Sequence, residues 1–281
     1  PLVFTGCNQR WVSLLSFNTS GDLLVSVGAD DDHTLVLWDW AKGEALTHVP
    51  TQKERIFGCR FEPSPAAPNA HPHAGRLVLA GKGFARLCTT ELLSQAGVGE
   101  RKGETRLALP GRERAAAQLC VGFYVQARVT LIGSASGTIH AFSLVDGALL
   151  SSRKDAHRGP IHVLSEAEGL AANGGAPPLL SCGKDGQVRL WAWDAAGKQL
   201  APLIAQDYLP IDDAMPLLHG NGSKGGSAGE RGARLRSMDW SASHGLILGT
   251  HSSELLLVGA QAKSKSKVLV RGHAQRPIAP P

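Results

Sequence analysis

The stretch Leu179–Trp191, LLSCGKDGQVRLW, limits what this chain can become more than any other. Leu179 to Cys182 is a short apolar run suited to a buried strand, and Gly183-Lys184-Asp185-Gly186 is a tight-turn cluster. The alternation through Val188 and Leu190 then ends on an indole. Two short strands joined by a Gly/Asp turn form a β-hairpin. Upstream, Ala156-His157 precedes another apolar run, Pro160 to Leu164. Three adjacent antiparallel strands would gather His157, Ser181, Asp185 and Trp191 into one buried hydrogen-bonded set. Each group would then satisfy a neighbour that is otherwise costly to bury.

The same order of elements recurs along the chain. Trp11 to Val49 holds four strands in about forty residues: Val12 to Phe17, Leu23 to Val27, Thr34 to Trp40 and Ala45 to Val49. Its third strand closes on the dipeptide Trp38-Asp39. The hairpin and its copies resemble blades of a WD-repeat β-propeller. That resemblance implies an all-β fold of about five four-stranded blades, at about 11–50, 55–110, 118–153, 157–204 and 234–271. Insertions at Glu62 to Gly75, Glu91 to Arg114 and Ala167 to Pro178 interrupt the pattern, and Ile204 to Arg231 leaves it. Residues 219–232 are a low-complexity Gly/Ser-rich insertion. Strict alternation is only partial, as expected where central strands are packed on both faces. Arg271-Gly272-His273 resembles the opening of a sixth unit. An arc of five blades would leave two sheet faces bare, so the chain is expected to be part of a larger propeller.

Composition sets outer bounds. With 281 residues, 43% hydrophobic and 19% charged, the chain can bury a substantial core. No apolar run approaches the roughly 18 residues needed to cross a bilayer, and PLVFTGCNQRW lacks the order of a secretory signal. Cys7, Cys59, Cys88, Cys120 and Cys182 are scattered without CxxC spacing, which points to buried reduced thiols and away from zinc. A net charge of +5 mildly favours an acidic partner. On charge alone nucleic acid, an anionic membrane and the acidic surface of a cytoskeletal polymer all stay open.

Ala29-Asp30-Asp31-Asp32-His33 followed by Thr34-Leu35-Val36-Leu37-Trp38-Asp39-Trp40 is more particular than a generic repeat. It resembles the early blades of the echinoderm microtubule-associated protein-like family. Further resemblances follow in the same order: Ile56 to Pro63 to an apolar strand ending in Phe-x-Pro, Ala80-Gly81-Lys82-Gly83 to a Cys-Gly-Lys turn, and Ser136-Gly137-Thr138-Ile139 to a Ser-Gly-Asn-Ile hairpin. Asp155 to Ile161 resembles the Ala-His-x-Gly-x-Ile entry, and Leu248-Gly249-Thr250 and Arg271-Gly272-His273 fit the stretches after it. The collinear order carries the weight. The resemblance implies the first of two linked propellers, which together bind tubulin or microtubules. The family's short hydrophobic motif ahead of the first propeller and its second propeller are not in this sequence.

His157, Ser181 and Asp185 are the residue types of a catalytic triad. In a blade the set points inward and Trp191 takes the hydroxyl's other bond, so no cleft is left for substrate. Asp30, Asp31 and Asp32 lack the alternating spacing and distal Glu of a calcium loop. Asp32 is expected to play the part of Asp185, since each stands six residues before its tryptophan (32 to 38, 185 to 191). Gly81-Lys82-Gly83 and Gly220 to Lys224 imitate phosphate loops without the GxxxxGK[ST] order. Arg101, Lys102, Arg106, Arg112 and Arg114 in the second insertion, and Lys263, Lys265 and Lys267 near the last strand, are either solvated loop charges or contacts to the acidic surface of tubulin. Without interleaved exposed aromatics, nucleic acid is disfavoured.

The sequence thus points to a non-enzymatic scaffold with no cofactor, metal, membrane or small-molecule substrate. Its expected partners are tubulin, microtubules or other cytoskeletal proteins, met through propeller rims and inserted loops. The expected setting is the cytoplasm and cytoskeleton, with a ciliary axoneme as one place that suits the design. The competing reading is a WD-repeat adaptor in another assembly, such as a ubiquitin ligase or a trafficking complex.

Overall fold

Glycine- and aspartate-rich turns break this chain every few residues, and each break reverses its direction. The computed structural model describes residues 10–51, 53–63, 75–90, 104–170, 176–204, 234–259 and 266–270. They form five four-stranded antiparallel meanders. The first holds β1 (Val12–Phe17), β2 (Leu23–Gly28), β3 (Leu35–Asp39) and β4 (Glu44–Val49). The second holds β5 (Ile56–Phe61), β6 (Arg76–Gly81), β7 (Phe84–Thr89) and β8 (Glu104–Arg106). The third holds β9 (Gln118–Tyr124), β10 (Val129–Ser134), β11 (Ile139–Ser143) and β12 (Leu149–Arg153). The fourth holds β13 (Ile161–Glu166), β14 (Leu179–Gly183), β15 (Val188–Asp194) and β16 (Gln199–Leu203). The fifth holds β17 (Leu235–Ser241), β18 (Gly245–Thr250), β19 (Leu255–Val258) and β20 (Lys267–Val270). The low-complexity insertion at 219–232 lies outside the described residues. Among the described residues no helix is long and apolar enough to cross a membrane.

The chain divides into two compact units, residues 1–156 with 193–200 and residues 157–192 with 201–281. In the first unit β6 shows why alternation is hard to see in the sequence. Leu77 and Leu79 enter a core shared with Leu23, Val25, Val27, Leu35 and Leu37 of the first sheet. Val78 and Ala80 enter a second core, with Val121, Phe123, Ile132 and Phe142 of the third sheet. Successive side chains on a strand point to opposite faces, so a strand covered on both sides needs an apolar residue at every position. In the second unit Leu180, Cys182, Val188 and Leu190 of the fourth sheet meet Leu235, Met238, Leu246, Leu248 and Leu256 of the fifth. Each fully buried leucine contributes about 1.5–3 kcal/mol.

The fourth strand of a meander has less to bury: β12 is mostly half-buried and β20 largely exposed. The first sheet also has an uncovered flank. Leu14 packs onto the core beneath it, whereas Leu15 is 62% and Phe17 49% exposed, with Phe17 edge-on to Trp40 at 5.4 Å. Cys59, Cys88, Cys120 and Cys182 are buried and stand outside any disulfide among the described residues. Burial pushes the Cys59 and Cys182 thiols up to about 12, so they behave as small apolar groups.

Close approach of sheets explains one glycine. A Cβ added at Gly58 on β5 would lie 3.2 Å from Val121 Cγ2 and 3.3 Å from the Cys120 Cα of β9. Replacing Gly58 by Val is expected to force the second and third sheets apart and to destabilise the chain by about 1–3 kcal/mol. Urea denaturation checks this, and an unchanged midpoint would show that the two sheets do not pack backbone to backbone there.

Candidate functional site

The hairpin β14–β15 places the most particular side chains of the second unit. Its strands pair Leu179 with Trp191 and Ser181 with Arg189, and the turn closes through the Gly186 amide donating to the Gly183 carbonyl at 3.1 Å. Gly186 sits at φ 76°, a conformation that costs a residue with a Cβ. On the other side β13 pairs Ile161 with Gly183. A side chain at Gly183 would stand 2.8 Å from His157 Nδ1, so the imidazole lies directly on the strand end.

Four side chains then form a directed chain of hydrogen bonds. Trp191 Nε1 donates to Ser181 Oγ at 2.8 Å. Ser181 Oγ lies 2.7 Å from His157 Nε2, and His157 Nδ1 lies 2.9 Å from Asp185 Oδ1. An indole can only donate and a carboxylate only accept. Nδ1–H of the imidazole therefore donates to Asp185, and Ser181 Oγ takes the indole N–H on one side and meets Nε2 on the other. Asp185 also accepts the amides of Arg158 at 2.9 Å and Gln187 at 3.2 Å. Partial burial pushes the Asp185 carboxyl up, but the His157 hydrogen bond, those two amides and the attraction of the imidazole outweigh it and hold the group at about 2.

Serine, histidine and aspartate here stand in the atom order of a hydrolytic triad. A triad needs its hydroxyl free to attack. Ser181 is fully buried, His157 is 2% and Trp191 1% exposed, and the indole occupies the hydroxyl. The arrangement can fix strands in register; it has no room to admit a substrate.

In the first sheet the same anchor recurs with a different carboxylate. Trp38 Nε1 donates to Ser26 Oγ at 2.9 Å, as Trp191 does to Ser181. The buried aspartate of the following turn is Asp30, whose Oδ1 accepts the Thr34 amide at 2.9 Å and the Thr34 hydroxyl at 3.1 Å. Asp32, expected in that place, is exposed. Serine and tryptophan are 12 residues apart in the first sheet and 10 in the fourth, so the first turn is two residues longer. Counting back from the tryptophan lands on Asp32. Counting forward four residues from the serine lands on Asp30, as it lands on Asp185 from Ser181.

The third sheet holds a polar set that the sequence reading missed. His140 on β11 is fully buried, with Nδ1 2.9 Å from Ser152 Oγ and Nε2 3.4 Å from Glu113 Oε2. Glu113 also accepts the Ser136 hydroxyl at 2.7 Å. Burial holds His140 below the ordinary histidine value, against the upward pull of the Glu113 carboxylate. Glu113 falls in an insertion that reads as loop, and Phe142 has replaced the tryptophan that marks the other sets. The available signal was a lone histidine inside the apolar run Ile139 to Phe142.

The basic candidates are dispersed. Arg101, Lys102, Lys263 and Lys265 lie outside the described residues. Arg106 is exposed on β8, Arg112 and Arg114 are exposed on the short 3-10 turn Gly111–Arg114, and Lys267 is exposed at the start of β20. Arg114 Nε donates to the Leu109 carbonyl at 3.0 Å. Among the described residues no group of three or more His, Cys, Asp or Glu side chains is arranged to hold a metal ion.

The buried relay has a pH signature. An aspartate in an unfolded chain titrates at about 4, and in the folded chain Asp185 titrates at about 2. The folded value is the lower one, so its stabilisation is complete above about pH 4 and is lost as pH falls towards about 2. Asp185→Asn is expected to cost about 1–3 kcal/mol at neutral pH. Urea titrations of both proteins across that acid window check it. The gap between them should close as the pH falls, and a gap that stays constant would mean that the Asp185 charge is not held by the relay.

The model of the WD domain, G-beta repeat, matches residues 2–39. The chain is 27% identical over 213 residues to echinoderm microtubule-associated protein-like 1 of Mus musculus, covering 73% of this chain and 23% of that protein. It is 24% identical to echinoderm microtubule-associated protein-like 2 of Homo sapiens, covering 73% of this chain and 28% of that protein. To the 77 kDa echinoderm microtubule-associated protein of Lytechinus variegatus it is 24% identical, covering 67% of this chain and 26% of that one. The chain thus spans about a quarter of the length of these relatives. Among solved structures the β-propeller domain of Myceliophteria thermophila Cps50 (Swd1) superposes with a TM-score of 0.60 at 15% identity, covering 94% of this chain and 73% of that one. The chain is a β-propeller of four-stranded blades that carries a WD40 repeat, and the curated proteins it is similar to are microtubule-associated proteins of the echinoderm and echinoderm-like type.

Proposed function

We propose that this chain is part of a non-enzymatic, microtubule-associated scaffold that binds tubulin or microtubules through its rims and inserted loops. One observation carries the reading: similarity along 73% of the chain to proteins named for association with microtubules. The chemistry agrees with it. The side chains best suited to catalysis are sealed inside blades, while Arg106, Arg112, Arg114 and Lys267 stand in solvent. Exposed cations attract an acidic polymer over about a Debye length, about 10 Å at 0.1 M salt, and lose that attraction as salt rises. The setting is the cytoplasmic cytoskeleton, with the ciliary axoneme as a specialised form of it.

Co-sedimentation with taxol-stabilised microtubules across a salt series tests this. The chain is expected to pellet at low salt and to be released as salt rises. Arg106→Glu/Arg112→Glu is expected to shift release to lower salt, by a few-fold in apparent affinity. A chain that stays in the supernatant at the lowest salt overturns the reading and leaves an adaptor role in another complex.

A further inference from the structure

The ends of four strands gather a set of basic side chains in the second unit that the sequence had not singled out. His162 is the second residue of β13, Lys184 follows β14, Arg236 is the second residue of β17 and His251 follows β18. Pairing of Ile161 with Gly183 and of Leu235 with Thr250 brings each strand start beside a strand end. Backbone bonds tie the turns down: the Lys184 amide donates to the Pro160 carbonyl at 2.9 Å, and the His251 amide to the Arg234 carbonyl at 2.8 Å. β13 packs beside β17, which sets the two hairpins next to each other.

Arg158, Lys184, Arg234, Arg236 and His251 are all exposed, and His162 is half-buried among them. Burial, together with the neighbouring positive charges of Arg236 and Lys184, holds His162 below the ordinary histidine value. Asp185 is turned inward onto His157 with its side chain 7% exposed. Among the described residues none of Arg158, Lys184, Arg234 and Arg236 forms a salt bridge with a carboxylate. The relay that locks the fourth blade thus takes Asp185 off the surface; the carboxylates that remain at these turns are the exposed Asp155 and the half-buried Glu254, against the exposed Arg158, Lys184, Arg234 and Arg236.

We infer that this end of the second unit is a docking surface for an acidic, extended polypeptide segment, with Lys184 and Arg236 at its centre. Charge complementarity selects the partner. Nucleic acid fits less well, because stacking platforms need exposed rings. The exposed large aromatic side chains among the described residues, Trp11, Phe17 and Trp40, all lie in the first unit. The inference does not depend on the microtubule reading, and either can fail alone.

The test titrates the whole chain into a fluorescently labelled glutamate-rich peptide and reads anisotropy. The expected result is saturable binding that weakens as salt rises. It should weaken at least about tenfold in Lys184→Glu/Arg236→Glu and by less than about twofold in Arg106→Glu/Arg112→Glu, whose charges lie in the other unit. Equal losses in both variants would reduce the effect to net charge and overturn the site. A single-stranded RNA of equal charge that binds more tightly than the peptide overturns the choice of partner. If the first variant melts early, Lys184→Gln/Arg236→Gln replaces it, with a smaller loss expected and an unchanged affinity counting against the proposal.

Discussion

Burial on both faces is the constraint that the rest of this structure answers to. In a sheet with one wet side, a slip of one residue exchanges the apolar face for the polar one, and solvent corrects it. Strands such as β6 and β14 have no wet side, since both their odd and their even positions are apolar and buried. Hydrophobicity then holds the sheets together without choosing a register. Ser181 supplies the choice. Its hydroxyl must meet Trp191 on one neighbour and the His157 ring beyond the other, and any slip would strand several buried polar groups at once.

The sheets were legible because the turns were. Gly183 to Gly186 and Ala41 to Glu44 announce reversals at fixed distances, and the strands fall between them. The relay of His157, Ser181, Asp185 and Trp191 was legible for the same reason: antiparallel pairing converts spacing along the chain into proximity. Asp32 shows where spacing misleads. The first turn is two residues longer, so counting back from the tryptophan reaches the exposed Asp32, while counting forward from the serine reaches the buried Asp30. The Glu113–His140 pair was illegible, since its acid arrives from an insertion with no periodicity of its own.

Function divides along the line between interior and rim. His157, Ser181, Asp185 and His140 are consumed by architecture, while Arg106, Arg112, Arg114, Lys184 and Arg236 stand in solvent. This is the division expected of a rigid display platform, on which loops vary while the frame stays constant. The basic end of the fourth and fifth blades differs from the scattered basic residues of the inserted loops. Its members are placed by strand ends and turn hydrogen bonds, so their spacing is set before any partner arrives.

The two additional residues between Ser26 and Trp38 carry a broader consequence. Asp30 keeps the four-residue distance from Ser26 that Asp185 keeps from Ser181, so the additional residues fall between that carboxylate and the tryptophan. Evolution can lengthen the surface of such a blade at this corner without disturbing the bolt beneath it. New recognition loops are therefore most cheaply gained on the tryptophan side of the aspartate.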